Sequence, residues 1–364
     1  QAGAVTDPSP DASPSPSSHA ASPAGTQVHL VDGTYELFRY FYSPGGGHLN
    51  GSGMEVGAVR GVLRSLAGML DDGATHIGVA TDHVIESFRN DLYAGYKNGE
   101  GIDPVLKAQF PLLEDALRSA GFTVWAMVEV EADDALGAAA RVAAADPSIE
   151  RAVICTPDKD LAQCVSDPDI VQFDRRAGVF RDEAGVREKF GVEPESIPDW
   201  LGLVGDTADG FPGLAGWGAK SAAAVLSRYR HIEDIPLNPG QWDITVRGGA
   251  KLCATLAGHF EDALLLRYLP VSRADGKSAS SVIQSGHKLV LRKPLDFDFQ
   301  RYIREVHGGA DGEVYDDKRS RALLGALYMP KNQDRLVEAL SAAADHFKRA
   351  ATADTSYPLE MLWV

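Results

Sequence analysis

The chain has 364 residues, with 35 Lys and Arg against 51 Asp and Glu, which gives a formal net charge of −16 at pH 7. Apolar residues make up 44% and charged residues 24%, proportions that are normal for a globular protein and exclude wholesale disorder. The acidic balance argues against a protein that coats nucleic acid through positive charge, and no apolar run approaches the about 18 residues of a membrane span.

Residues 1–26 are predicted to form a disordered leader. Eleven of the first 25 residues are Pro or Ser and none is Lys or Arg, so the segment has little to bury. It also lacks the basic and apolar regions of a secretory signal.

The three cysteines, Cys155, Cys164 and Cys253, form no zinc-binding or Cys-x-x-Cys pattern. A few widely spaced cysteines without such a pattern are typical of a protein in a reducing compartment.

Short apolar runs alternate with amphipathic segments from Val28 onward. The predicted strands are Val28–Val31, His76–Thr81, Phe122–Val128, Ala152–Thr156 and Ile170–Phe173. Between them, apolar residues recur every three or four positions over Val56–Leu70 and Leu106–Leu117, which predicts helices. This alternation favours an α/β fold with a parallel sheet, whose ligands lie at the carboxyl ends of the strands.

Acidic residues follow four of these strands at the points where the strands end. They are Asp32, Asp82, Glu131, Asp133, Asp134, Asp158 and Asp160, and Asp206 and Asp209 come later in the chain. Carboxylates crowded into one crevice repel one another unless cations are present, and hard oxygen ligands suit Mg²⁺ or Mn²⁺. Two such ions about 3.5–4 Å apart can hydrolyse a phosphodiester. For Glu131 or Asp134 alone, a helix cap is an equally good interpretation.

A glycine-rich segment, Phe211–Ala222, contains Gly213, Gly216 and Gly218 and is followed by a helix predicted over Lys220–Tyr229. With an upstream helix at Pro198–Val204 it forms a helix–turn–helix. The free amides at the start of the second helix favour a phosphate, and Lys220 adds positive charge. A plain interhelical loop is the alternative for this motif taken alone.

Six short motifs together resemble a known family. They are Leu30–Thr34, Ser87–Arg89, Tyr96–Lys97, Glu131–Asp134, Thr156–Gln163 and Gly205–Gly213. In this order they are similar to the bacterial 5′–3′ exonucleases, which comprise the nuclease portion of DNA polymerase I, stand-alone relatives and flap endonucleases. The resemblance spans residues 27–235, and Ala80–Asn90 looks closest to the stand-alone actinobacterial type.

The resemblance implies a PIN-like core of parallel sheet and flanking helices over residues 27–190. It implies a helical helix–three-turn–helix DNA-binding region over 191–270, and it leaves 271–364 as an extension of unknown role. That extension contains a predicted linker at Ser272–Ser281, a strand-like run at Lys288–Leu291 and a helical stretch at Asn332–Arg349.

By resemblance, two metal ions are held by two groups of acids, with Asp134 and Asp158 between the ions. The first group is Asp32, Asp82, Glu131, Asp133 and Asp134, and the second is Asp158, Asp160, Asp206 and Asp209. The motifs further imply that Arg89 and Lys97 hold the scissile phosphate, although either is also typical of an ordinary surface cation. Tyr96 either stacks on an unpaired base or simply packs.

The hairpin around Gly213–Ser221 is implied to grip the duplex through Gly213, Gly216, Gly218, Lys220 and Ser221, and it often holds K⁺ in the family.

Three positions depart from the family's pattern. Glu100 stands where an Arg is usual, Gly210 where an Asn is usual, and Pro157 where a Gly is usual.

The sequence therefore predicts a Mg²⁺- or Mn²⁺-dependent 5′–3′ exonuclease or flap endonuclease acting on DNA with free 5′ ends or 5′ flaps. For a protein with this function we expect a cytoplasmic, nucleoid-associated location, no contact with membranes and no obligate protein partner. A non-catalytic nucleic-acid-binding relative and a PIN-type ribonuclease are the alternatives.

Overall fold

The structure is a computed structural model, and it describes residues 25–45 and 47–272. Nearly all of the predicted leader lies outside the described residues. The predicted linker after Ser272, the run Lys288–Leu291 and the helical stretch Asn332–Arg349 also lie outside them.

A six-stranded sheet forms the centre of the first half of the chain. Its strands are β1 (Thr26–Asp32), β2 (His76–Asp82), β3 (Thr123–Met127), β4 (Ile149–Cys155), β5 (Ile170–Asp174) and β6 (Val179–Arg181). The strand order is β3-β2-β1-β4-β5-β6. Adjacent strands from β3 to β5 pair in parallel, and β6 pairs antiparallel with β5 at the edge. The parallel sheet is as predicted, whereas β6 makes it mixed.

Helices cover both faces of this sheet. They are α1 (Gly33–Phe41), α2 (Gly57–Asp71), α3 (Phe88–Leu92), α4 (Pro104–Lys107), α5 (Gln109–Ser119) and α6 (Ala132–Ala144). Side chains alternate between the faces, so that Leu30 packs toward α6 while Val31 packs toward α1, α2 and α5. The alanines of α6 keep that helix close to β1 and β4.

The helix predicted over Leu106–Leu117 is two helices, α4 and α5. Pro111 has no N–H to donate to the carbonyl of Lys107, four residues earlier. A continuous helix through this position would therefore lose a hydrogen bond, and the chain turns at Ala108 instead.

A helical region with its own apolar core follows the sheet. Its elements are α7 (Glu183–Phe190), α8 (Ile197–Val204), β7 (Gly205–Asp206), β8 (Phe211–Pro212), α9 (Ala219–Tyr229), α10 (Gly249–Gly258) and α11 (Phe260–Tyr268). The two predicted helices of the helix–turn–helix correspond to α8 and α9. Across the described part of the chain, every helix is too short or too polar to cross a bilayer.

Candidate metal and nucleic-acid site

The carboxyl ends of β1, β2 and β4 bring acids from separate parts of the chain to one crevice. Asp32 and Asp82 are the last residues of β1 and β2, and Asp158 and Asp160 follow β4. The chain leaves β1 toward β2 on one side and reaches β4 on the other. The crevice therefore lies at the topological switch point of the sheet, where such folds bind ligands.

Asp32 and Asp82 are fixed by hydrogen bonds to neighbouring elements. Asp32 Oδ1 accepts the N–H of Tyr35 at 2.8 Å and so caps α1, while its Oδ2 accepts the hydroxyl of Thr156 at 3.0 Å. Asp82 Oδ1 accepts the N–H of Ala132, the first residue of α6, at 2.7 Å. Both carboxylates therefore serve as helix-terminus acceptors while facing the crevice.

Asp160, Asp206 and Asp209 form a compact cluster of buried carboxylates. One oxygen of each lies within 4.8 Å of one oxygen of the others. Asp160 is 6% exposed, and its Oδ1 has no hydrogen-bond partner among the described residues. A buried oxygen without a donor is costly, and a divalent cation would satisfy it. The all-oxygen donor set fits a hard ion such as Mg²⁺ or Mn²⁺.

Eight of the nine predicted acids interact electrostatically in this crevice. They are Asp32, Asp82, Glu131, Asp133, Asp158, Asp160, Asp206 and Asp209. Burial, together with the charges of Asp82 and Asp158, raises the pKa of Asp32 to about 7. Burial also raises the pKa of Asp160 well above its ordinary value, with Asp158 and Asp209 adding to the effect. Without cations, these groups resist simultaneous ionisation.

Two lysines partly neutralise the crevice. Lys97 Nζ lies 2.9 Å from Glu131 Oε2 and 2.9 Å from Asp209 Oδ1, so it contacts one acid of each predicted group. Lys159 Nζ lies 2.6 Å from Asp206 Oδ2. Burial raises the pKa of Glu131, but the charges of Lys97 and Arg89 outweigh this effect and hold that pKa below its usual value. Sequence analysis missed Lys159, although it stands between two predicted ligands.

Asp134 and Arg89 pair with each other at the start of α6. Asp134 is fully buried, and its two oxygens accept hydrogen bonds from Arg89 Nη1 and Nη2 at 2.8 and 2.9 Å. Asp134 Oδ2 also accepts the N–H of Glu131 at 3.0 Å. In this structure Asp134 therefore caps α6 and pairs with Arg89, which is 2% exposed. The metal-binding role of Asp134 and the phosphate-binding role of Arg89 stay predictions.

Tyr96 is packed in the apolar core of the helical region and is only 3% exposed. Its hydroxyl donates to Glu131 Oε2 at 3.2 Å, and its ring stacks on Phe211 with centroids 6.5 Å apart. A base could stack on this ring only after the core opened. Of the two interpretations offered by the sequence, packing is therefore the one observed.

The glycine hairpin brings α8 and α9 into close contact. A Cβ on Gly213 would lie 2.2 Å from the carbonyl carbon of Val204, so only glycine fits there. Gly218 caps α9, and its N–H donates to Ser221 Oγ at 3.0 Å. Gly216 and Lys220 are exposed at the tip, beside the free amides of α9. Gly216 and Lys220 are thus exposed, whereas Asp206, at the start of the β7–β8 pair, is buried.

The departure at Gly210 has a packing reason. Gly210 has a φ of +80°, and a Cβ there would lie 2.3 Å from the carbonyl oxygen of Gly95. The neighbouring Asp209 carbonyl accepts the N–H of Lys97 at 2.8 Å. The close contact between these backbones fixes Lys97 beside Asp209. Glu100 is exposed, and Pro157 lies in the turn after β4.

Comparison with known families gives two matches along the chain. The 5'-3' exonuclease, N-terminal resolvase-like domain matches residues 27–191, and the 5'-3' exonuclease, C-terminal SAM fold matches residues 192–281.

Two curated relatives illustrate the similarity in sequence. The chain is 33% identical over 216 residues to a 5'-3' exonuclease of Aquifex aeolicus, covering 58% of this chain and 72% of that protein. It is 35% identical over 259 residues to DNA polymerase I of Pseudomonas aeruginosa, covering 68% of this chain. The match covers 27% of that polymerase, so the chain corresponds to about a quarter of its length.

Solved structures show the same fold. The T5 5'-exonuclease with bound divalent metal ions (zinc) superposes with a TM-score of 0.54 at 17% identity, covering 72% of this chain and 94% of that chain. A bacteriophage T5 flap endonuclease in a pseudo-enzyme-product complex with DNA and metal ions has a TM-score of 0.52 at 19% identity. The latter covers 71% of this chain and 92% of that chain.

Proposed function

The chain belongs to the 5′–3′ exonuclease family, and from that premise we propose that it is a divalent-metal-dependent nuclease that cleaves DNA at free 5′ ends or 5′ flaps. The observation that carries this proposal is the buried cluster of Asp160, Asp206 and Asp209, in which Asp160 Oδ1 accepts no hydrogen bond from the described part of the chain. Carboxylates alone repel phosphates, so this crevice suits a phosphodiester only when cations are bound.

Two Mg²⁺ or Mn²⁺ ions are proposed as cofactors, held by the two groups of acids at opposite sides of the crevice. One group is Asp32, Asp82, Glu131 and Asp133, and the other is Asp158, Asp160, Asp206 and Asp209. Bound ions of this kind supply an activated water and stabilise the leaving oxygen of a phosphodiester. The T5 5'-exonuclease solved with zinc and the T5 flap endonuclease solved with DNA and metal ions support the cofactor class.

Lys97 is proposed to hold the scissile phosphate. Its ammonium group lies between Glu131 and Asp209, one from each group of acids, and its side chain is 31% exposed. Once cations neutralise both carboxylates, the ammonium can contact a phosphate oxygen instead. Lys159 is a second cation at this edge and is placed to do the same beside Asp206.

Duplex DNA is proposed to bind at the hairpin and at the start of α9. The free amides of α9 and the positive end of its dipole favour a backbone phosphate, and the exposed Lys220 adds charge. Gly213, Gly216, Gly218 and Ser221 shape this turn, and a K⁺ held by its carbonyls belongs to the proposal. In the proposed division at residues 190/191, the second part of the chain then holds the duplex and also contributes Asp206 and Asp209 to the crevice.

A cytoplasmic, nucleoid-associated location completes the proposal. The relatives named DNA polymerase I are consistent with a role in DNA replication and repair.

The test is cleavage of a labelled 5′-flap duplex with Mg²⁺. We expect the full chain to release the flap, and we expect Asp160→Ala to abolish release while Asp115→Ala, at an exposed acid of α5, leaves it unchanged. Flap binding without cleavage at any Mg²⁺ or Mn²⁺ concentration would instead favour the non-catalytic binder. Preferential cleavage of RNA would favour the ribonuclease.

A further inference from the structure

The chain returns from α11 to the sheet through residues Leu269–Ser272, named here the C-terminal strap. Leu269 is fully buried and Ser272 is 5% exposed, so both ends of the strap are packed inside the protein. It lies against the residues that carry the acidic crevice, although it contains no acid itself.

Arg89 ties the strap to the start of α6. Its Nε donates to the carbonyl of Leu269 at 2.6 Å and its Nη2 to the carbonyl of Val271 at 3.1 Å. The same guanidinium holds both oxygens of Asp134, and Nη1 lies 3.3 Å from Glu131 Oε1. Four of the five N–H groups of this arginine therefore donate hydrogen bonds within the protein, and Nη1 also makes the ion pair with Glu131.

Gln163 ties the strap to the turn that carries Asp160. Its Nε2 donates to the carbonyl of Pro270 at 2.7 Å and to the carbonyl of Asp160 at 2.7 Å, and its Oε1 accepts the N–H of Ser272 at 3.0 Å. The N–H of Asp160 donates to Asp158 Oδ1 at 3.0 Å. The N–H and the carbonyl of Asp160 are thus both hydrogen-bonded, and the carbonyl is bound by the same Gln163 amide that binds the strap.

A glycine on α6 makes room for the strap. A Cβ on Gly137 would lie 2.4 Å from Ser272 Oγ and 3.1 Å from Cys164 Sγ. The strap therefore lies where α6 meets the turn after β4, in contact with both sides of the crevice. Arg89 contacts Leu269 and Val271 of the strap, whereas Gln163 and Gly137 both lie against Ser272.

We infer that the C-terminal strap positions the two sides of the acidic crevice for metal binding, with Arg89 and Gln163 as positioning residues. The inference rests on the proposed function for its metal ions. Residues that orient ligands from behind commonly change metal affinity by about 10–100-fold when they are replaced. Loosening the strap is therefore expected to weaken metal binding in a chain that is still folded.

The test compares variants of the full chain by titration with Mn²⁺, at a temperature where circular dichroism shows each variant to be folded. Gln163→Ala removes the amide bridge, and Ser272→Pro removes the N–H that Gln163 accepts. Ser272→Ala is the matched control, because it keeps that N–H. Asp199→Asn is a stability control, because Asp199 is buried in the helical region and contacts His231 and Arg267.

We expect Gln163→Ala and Ser272→Pro to weaken Mn²⁺ affinity about 10-fold or more, and both controls to keep the affinity of the unaltered chain. Lower melting temperatures with unchanged affinity in the first two variants would overturn the inference. If the unaltered chain binds Mn²⁺ but cleaves no DNA, the nuclease proposal fails while the strap is still tested. A chain that binds no Mn²⁺ would overturn both.

Discussion

At the scale of single residues, adjacent aspartates in the sequence make different contacts in the structure. Asp133 and Asp134 are neighbours at the start of α6, and the charges of Asp158 and Asp32 act on the carboxyl group of Asp133. Asp134 pairs with Arg89 across 45 residues of chain. No local pattern in the sequence distinguishes the two, because the partner that decides between a ligand and a cap is distant.

Asp32 gives the metal-free chain a pH dependence of stability. Its pKa is about 7 in the folded state, against about 3.9 for an unfolded aspartate. Between these values the folded chain holds a proton that the unfolded chain has lost. The free energy of unfolding should therefore fall as pH rises from about 4 to 7, by up to about 1.4 kcal/mol per pH unit for this one group.

Urea unfolding in EDTA at several pH values measures this slope. Asp32→Asn should reduce it, and Mg²⁺ should offset the loss at high pH because the ion replaces the proton. A stability that rises with pH between 5 and 7 in EDTA, with no difference between the chain and Asp32→Asn, would contradict the crowding described for the crevice.

Lys97→Ala separates phosphate contact from metal binding. We expect turnover on a 5′ flap to fall about 100-fold or more, as is typical when a group that stabilises developing charge is removed. Mn²⁺ affinity should stay the same or rise, because the ammonium competes with cations for Glu131 and Asp209. Single-turnover kinetics and Mn²⁺ titration check the pair of outcomes. Turnover within twofold of the unaltered chain would exclude Lys97 from the reaction.

At the scale of elements, the strands followed from the sequence more closely than the contacts between them. Each buried parallel strand is a short β-branched run, and all five predicted strands are present. The edge strand β6 gave no signal, because it has three residues and Val179 and Phe180 are exposed. Helix α1 was missed because Asp32, its cap, was interpreted only as a ligand.

The hairpin of β7 and β8 depends on the close approach of Gly213 to α8. In Gly213→Ala the new Cβ would meet backbone atoms of Leu203 and Val204 at 2.3 and 2.2 Å, which cannot move as a side-chain tip can. We expect a loss of about 1–3 kcal/mol in unfolding free energy, together with weaker metal binding because Asp206 begins this hairpin.

Gly68→Ala on α2 is the matched control for this substitution. Its Cβ would meet nothing within 4 Å, so the change should stabilise the chain by about 0.5–1 kcal/mol. Equal effects of the two substitutions in thermal unfolding would show that close packing at the hairpin is not what requires Gly213.

At the scale of the whole molecule, the proposed binding of DNA by a chain with a net charge of −16 requires local positive charge. Lys97 and Lys159 lie at the crevice, and Lys220 is exposed beside the free amides of α9. The order of motifs in the sequence indicated this organisation. The strap that closes the chain back onto the crevice was not foreseeable, since Arg89 and Leu269 are 180 residues apart.

Binding of a flap duplex should therefore weaken steeply with salt, because phosphate contacts release counterions. Lys220→Ala should reduce the slope of log affinity against log salt concentration by about 1, with similar losses for all DNA sequences. Fluorescence anisotropy over a range of KCl concentrations measures the slope in Ca²⁺, which avoids cleavage. An unchanged slope would place the DNA elsewhere on the surface.

The most direct test of the whole account is a crystal structure of the chain grown with Mn²⁺, with ions located by anomalous scattering. We predict two peaks in the acidic crevice, one of them in contact with Asp160, Asp206 and Asp209. Lys159 should then have left Asp206. A crevice without an anomalous peak, in which Lys97 and Lys159 still pair with the carboxylates at saturating Mn²⁺, would contradict it.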